Sequence, residues 1–177
     1  MIARTLLKPV LSILVGLLAL AALIVIGLLV LLGHVVKVGI EKAGPLVAAV
    51  PIQVQDVRIS LPGQSFTMIG FEMGNPEGFD APTSVYVGAI SVEARLATLL
   101  KDEIVLPRIE VDRPKITLEF RGKETNLARI MKQMKIPKGR SEKKLRIGLL
   151  RITHPSVEVA GLPLGKAIKF DLSLIHI

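Results

Sequence analysis

The chain has 177 residues, of which 50% are hydrophobic, only 3% are aromatic and none is cysteine, and its formal net charge is +8. A basic chain favours anionic partners, which are usually lipid headgroups or nucleic acid. The scarcity of aromatic residues and the absence of a stacking motif or a basic recognition helix argue against nucleic acid. The lack of cysteine is compatible with either a reducing or an oxidising compartment.

The hydrophobic residues are concentrated near the N-terminus. Residues 10–32 contain no charged side chain, and about 20 apolar residues are enough for a helix to cross a bilayer. Two other interpretations are a buried helix of a soluble protein and a cleaved secretory signal with Ala19-Leu20-Ala21 as its cleavage site. A soluble helix of this length normally has a polar face, and the apolar part of a signal peptide is only about 7–15 residues long. We therefore predict an uncleaved single-pass anchor over residues 1–43.

The charges that flank the apolar run indicate an orientation. Arg4 and Lys8 precede it, whereas Lys37, Glu41 and Lys42 follow it. Because positive residues are enriched on the cytoplasmic side, this slight asymmetry favours a cytoplasmic N-terminus, with the rest of the chain across the membrane.

After the anchor the hydrophobic pattern changes. Gly44-Pro45 is expected to end the helix, and the following residues alternate with the period of two that is typical of strands. The phase of the alternation shifts at Asp56, which indicates a bulge or a sharp twist. Turn signals occur at residues 61–64 and 74–79. Strands are predicted over residues 52–61, 65–73, 85–96, 104–111, 115–120, 145–153 and 156–160, with a helical turn over residues 96–100.

A single amphipathic helix is predicted in this second part. Thr125 is a suitable N-cap, and the apolar residues that follow have the spacing of one helix face; they are Leu127, Ile130, Met131 and Met134. The predicted fold is therefore mainly β, with one N-terminal transmembrane helix, a curved antiparallel sheet that forms an open groove, and a short amphipathic helix. Residues 44–171 form the β-rich domain of this prediction.

The last six residues differ in character from the rest. Residues 172–177 read LSLIHI, a string that resembles the translation of a transposon adapter used in sequencing libraries. We therefore expect a non-native tail, and the alternative is a genuine C-terminal strand.

The sequence contains no pattern that is typical of catalysis. Its histidines, His34, His154 and His176, have no metal-ligand spacing to another histidine or to a carboxylate. Phosphate-binding and nucleophile motifs are missing from the sequence. We accordingly expect no enzyme activity, no metal and no cofactor.

A basic stretch follows the amphipathic helix. Its cations are Lys135, Lys138, Arg140, Lys143 and Lys144. These residues either contact lipid headgroups at the membrane surface or belong to a solvated loop.

Several segments in a fixed order resemble the AsmA-like family of bacterial envelope proteins. They are VGIEKAGP at 38–45, GNPEGF at 74–79, LLKDEIVL at 99–106, IEVDRPKI at 109–116, and Asn126-Leu127 at the start of the short helix. Lys101 and Pro107 depart from the residue types typical of these blocks.

The resemblance implies a protein anchored in the inner membrane of a two-membrane bacterium and facing the periplasm. Larger members resemble bridge-type lipid-transfer proteins with a long β groove, so membrane lipids are the expected ligands and envelope proteins are possible partners. The expected function is phospholipid transfer or outer-membrane homeostasis, with this chain as the start of the groove. The alternative is a structural or assembly module that binds an envelope protein and carries no lipid. Candidate groove residues are Val85, Val87, Ile90, Val92, Ile116 and Leu118.

Overall fold

A computed structural model describes residues 2–135, 143–161 and 168–171. Helix α1 spans Ile2–Ala48, and within the described residues it is the one helix that is long and apolar enough to cross a membrane. The predicted helix end at Gly44-Pro45 is wrong, because α1 continues to Ala48 and ends at Ala49, whose φ is 58°. The last residue of the helix, Ala48, is buried in the core at the end of the sheet.

Eight strands and one short helix follow α1. The elements are β1 (Ile52–Ser60), β2 (Ser65–Met73), β3 (Val85–Glu93), β4 (Glu103–Arg121), β5 (Glu124–Thr125), α2 (Asn126–Gln133), β6 (Lys144–Thr153), β7 (Ser156–Ala160) and β8 (Ile168–Asp171). The sheet has the order β1-β2-β3-β4-β7-β8, with β5 and β6 also paired to β4. The described strands β1 and β8 at its two ends do not pair with each other, so the sheet is open.

The sheet is mixed, which corrects the prediction of an antiparallel sheet. Strands β1 to β4 pair antiparallel, but β6 and β7 both run parallel to β4. Parallel neighbours need a long crossover, usually with a helix, and the connection between β4 and β6 contains α2. With α1 included, the chain has a mixed α/β fold. The two strands predicted over 104–111 and 115–120 are one long strand, β4.

Most of the other local predictions are confirmed. Strand β2 has the predicted limits, and α2 begins with the predicted cap, since Thr125 Oγ1 accepts a hydrogen bond of 3.2 Å from the Ala128 amide. The predicted helical turn is a shorter 3-10 turn over Leu96–Thr98. Residues 172–177, the predicted non-native tail, lie outside the described residues.

The predicted phase shift in β1 belongs to a line that crosses β1 to β4 and the junction between β6 and β7. The residues of this line, which we call the crease, are opposite one another in the strand registers; they are Gln55, Gly70, Gly88, Arg113 and His154. Gly70, Arg113 and His154 have positive φ. Each of β1 to β4 has one residue on the crease, and His154 lies between β6 and β7. The register on the two sides of the crease is therefore the same, while the alternation of faces shifts by one residue.

A small hydrophobic core lies at one end of the sheet. Ala48, Val50 and Ile130 are buried there, and α2 packs onto the end of the sheet through Leu127 and Met134. Ile52 and Met73 complete this core from β1 and β2. Of the four residues predicted to form the apolar face of α2, Leu127, Ile130 and Met134 lie in this core, whereas Met131 is 76% exposed.

Candidate functional site: the apolar face of the sheet

Register partners on neighbouring strands share a face of the sheet. In this sheet several rows of such partners are either entirely apolar or entirely polar. On the side of the crease away from α2, two rows are entirely apolar; they are Val57, Met68, Ile90, Val111, Ile152 and Ile59, Phe66, Val92, Ile109, Leu150. The row between them is almost entirely polar; it is Arg58, Thr67, Ser91, Glu110 and Arg151. One face of the sheet is therefore apolar here and the other is polar.

The same segregation holds on the other side of the crease. One row consists of Ile52, Met73, Val85, Ile116 and Val157, and its neighbour consists of Gln53, Glu72, Tyr86, Lys115 and Ser156. Without the shift at the crease, the apolar rows of the two halves would lie on opposite faces. The crease thus gives the sheet one continuous apolar face.

All six predicted groove residues belong to this face. Val85, Val87, Ile90 and Val92 follow one another along β3, and Ile116 is the register partner of Val85. Leu118 is two residues beyond Ile116 in β4 and pairs with Val159. Their burial differs, since Val87 is 6% exposed and Ile116 is 37% exposed. The sheet therefore brings the six residues together.

The cover on this face is incomplete among the described residues. Helix α2 packs on the end that carries Ile52 and Met73. Toward the other end, the β6 members of the two apolar rows remain exposed, with Leu150 at 52% and Ile152 at 47%. This exposed apolar surface is the candidate binding site of the sheet.

Helix α1 closes one edge of the sheet. Glu41 Oε1 accepts a hydrogen bond of 3.0 Å from the backbone amide of Val54 in the edge strand β1. It also accepts one of 2.9 Å from Lys37 Nζ. The helix also approaches β1 closely at Gly33, where a β-carbon would overlap the carbonyl oxygen of Val57.

A buried polar network fixes the end of the sheet near α2. Asn126 is 0% exposed, and its side-chain amide donates to Asn75 Oδ1 at 2.7 Å and to the Thr117 carbonyl at 2.8 Å. Its Oδ1 accepts from the backbone amides of Glu119 and Leu127. Two of the blocks that carry the family resemblance, GNPEGF and Asn126-Leu127, thus meet in one network.

The loop over residues 74–84 is held by further contacts to β4 and α2. The carboxylate of Glu119 accepts hydrogen bonds from the amides of Asp80 and Ala81. The guanidinium of Arg129 lies 5.0 Å from the ring centroid of Phe79 and donates to the Glu77 carbonyl. The prediction of a turn at GNPEGF is confirmed, and its contacts explain it as a structural element.

The predicted basic cluster is divided by the structure. The Lys135 amide donates to the Val47 carbonyl near the end of α1. Lys144 lies at the other end of the sheet, where it is the backbone register partner of Glu103, the first residue of β4. At about 3.3 Å per residue, these ends of the sheet are about 40 Å apart. Lys143 lies beside Lys144, and Lys138 and Arg140 lie outside the described residues.

An open cleft of about 330 Å³ lies near the loop, away from the apolar face. It is lined in part by Gln53 and Glu72, which are register partners in a polar row, and by Asn75 and Phe79. The cleft is therefore separate from the candidate groove residues.

The search for known relatives gives no family assignment. Neither the models of protein families nor the curated proteins nor the solved structures contain a match to this chain. What the structure establishes is an open, two-faced mixed sheet that follows an N-terminal helix able to span a membrane.

Proposed function

We propose that this chain is a membrane-anchored lipid-handling protein in which the apolar face of the sheet holds acyl chains. The observation that carries the proposal is the pair of entirely apolar rows on either side of a polar row across five strands. Burying apolar surface contributes roughly 25 cal/mol per Å², so a face of this kind favours an apolar ligand. The resemblance to AsmA-like proteins supports phospholipid as the ligand and outer-membrane homeostasis as the process.

The proposed location is a bacterial inner membrane, with the sheet in the periplasm. In support, α1 continues directly from the apolar run into the segment that packs on β1, so one rigid element joins anchor and sheet. A reporter that is active only in the periplasm should therefore be active when fused after residue 170. Activity of a cytoplasmic reporter at the same point would contradict this orientation.

Two neighbouring residues of β3 allow a matched test of lipid binding. Val92 lies in an apolar row and Ser91 in the polar row beside it, where Ser91 Oγ is 3.0 Å from Thr67 Oγ1. A photoreactive amino acid placed at Val92 should form phospholipid adducts in cells, whereas the same group at Ser91 should not. Mass spectrometry of the purified chain reads out the adducts. Equal labelling at both positions, or no lipid at either, would contradict the proposal.

A second candidate function is supported by strand β6. Among the described strands, β6 pairs only with β4, and all but its last residue are exposed. An edge strand of this kind can accept a strand from another protein. If the chain is an assembly module, a photoreactive group at Leu149 will give protein adducts in cells while Val92 gives no lipid adducts.

A further inference from the structure

The contacts between α1 and β1 define how far the sheet extends along the helix. Gly44 lies against Ile52 and Gly33 against Val57, so β1 runs back along α1 toward its N-terminus. Ser60, at the end of β1, is three residues further on, which is about 10 Å of strand or six to seven helical residues. The turn after β1 therefore lies about level with Gly27, inside the uncharged run of residues 10–32.

The burial of α1 agrees with this estimate. Within the described part of the run, residues 13–32, Leu29 is the one partly buried residue, and it lies one helical turn before the buried Gly33. Contact with the sheet thus begins inside the apolar run.

This end of the sheet carries exposed leucines on connected turns. The Gln64 carbonyl accepts a hydrogen bond of 2.9 Å from the Ala94 amide, and Gln64 Oε1 accepts one of 3.1 Å from the Leu96 amide. These bonds join the turn after β1 to the segment between β3 and β4. We call the exposed leucines of the two turns the leucine tip; they are Leu61 (48%), Leu96 (42%), Leu99 (40%) and Leu100 (96%).

Basic side chains flank the leucine tip. Lys143 Nζ donates to the Leu99 carbonyl at 2.8 Å, and the Lys144 amide donates to the Asp102 carbonyl at 2.7 Å. Lys101 follows Leu100 directly. The nearest acids are Asp102, which follows Lys101 directly, and Glu103, which is paired with Arg146. Exposed apolar residues beside lysines match the boundary between acyl chains and anionic headgroups.

We propose that the leucine tip is inserted into the leaflet from which α1 emerges, with Leu100 among the acyl chains and Lys101, Lys143 and Lys144 at phospholipid phosphates. The occupant of this surface is the bilayer that holds α1. The inference rests on the proposed anchoring and is independent of whether the sheet carries lipid. It assigns Lys143 and Lys144 to the membrane surface and leaves Lys135 at the far end of the sheet.

The lack of native cysteine makes single-site fluorescence a direct test. The variant Leu100→Cys is labelled with an environment-sensitive fluorophore in the full chain, reconstituted into vesicles of equal parts phosphatidylethanolamine and phosphatidylglycerol. Met131→Cys is the matched control, because Met131 is also apolar and 76% exposed but lies on α2. A third label at Leu20→Cys, within the apolar run, reports whether α1 is inserted.

The expected result is that nitroxides on the acyl chains quench the labels at residues 20 and 100, while aqueous iodide quenches the label at residue 131. Replacing phosphatidylglycerol with phosphatidylcholine should reduce acyl-chain quenching at residue 100 alone. Iodide quenching at residue 100 as strong as at residue 131, with residue 20 protected, would overturn the proposal. Iodide access at residue 20 would overturn the anchoring as well, whereas lipid carriage is tested separately by lipid adducts of the same photoreactive group at Val87, which lies on the other side of the crease from the leucine tip.

Discussion

Gly88 lies directly beneath the side chain of Arg113, since a β-carbon at residue 88 would be 2.9 Å from the Arg113 Nε. The two residues are opposite each other in β3 and β4, in the crease. Gly70 has the corresponding relationship to Gln55, with a β-carbon at residue 70 lying 2.7 Å from the Gln55 Cβ. The crease is therefore built where a glycine on one strand accommodates a side chain of the next.

The two glycines of the crease should respond differently to alanine. Gly70 has φ +63° and meets the rigid Cβ of Gln55, so Gly70→Ala should lower the free energy of unfolding by about 1–3 kcal/mol. In Gly88→Ala the new β-carbon meets only the flexible end of Arg113, which can move. This substitution should therefore lower the free energy of unfolding by no more than about 1 kcal/mol. Chemical denaturation in detergent measures both. Equal losses would contradict the role given to the backbone of Gly70.

Asp112, next to the crease, should make stability depend on acidity. Hydrogen bonds from Thr153 Oγ1 and then from His154 Nδ1, together with Arg113, hold the pKa of Asp112 below its ordinary value. The carboxylate is therefore harder to protonate in the folded protein than in the unfolded chain. Its contribution to the free energy of unfolding is present above the ordinary pKa of about 3.9 and is lost as the pH falls through the lower pKa of the folded state.

When unfolding is measured from pH 6 to pH 3, the free energy of unfolding should fall less for Asp112→Asn than for the unmodified chain. Thr153→Val should reduce the same slope, because it removes the largest cause of the lowered pKa. An unchanged slope in Asp112→Asn would show that other carboxylates determine the acid response.

The sequence predicts the parts of this fold that depend on local pattern. The limits of β2 and the cap of α2 follow from alternation and from Thr125, and the candidate groove residues follow from the same alternation. The parallel pairing of β6 and β7 with β4 was missed because short strands suggest hairpins, although the helix between β4 and β6 was the available signal. The leucine tip was missed because the level of the turns along α1 depends on contacts such as that of Gly33 with Val57.

Asn126 should be among the most sensitive positions outside the apolar face. Asn126→Ala removes four hydrogen bonds and leaves the buried amide of Glu119 without its acceptor, which should cost about 2–4 kcal/mol. Gln133→Ala, at an exposed position of the same helix, is the control and should change stability by less than about 0.5 kcal/mol. Thermal unfolding compares them. Equal unfolding midpoints for the two variants would contradict a stabilising role for the Asn126 network at this end of the sheet.

The contact of α1 with the sheet edge can be tested with two glycines of the helix. A β-carbon at Gly33 would overlap the Val57 carbonyl, whereas one at Gly39 has no atom within 4 Å. Gly33→Ala should therefore push the helix away from β1 and increase hydrogen exchange at the Val54 amide, which Glu41 now protects. Gly39→Ala should leave that exchange unchanged and stabilise the helix by about 1 kcal/mol. Hydrogen exchange with mass spectrometry in detergent resolves β1 from the rest of the sheet. If Gly33→Ala leaves exchange in β1 unchanged, α1 does not protect this edge, and the level assigned to the leucine tip loses its support.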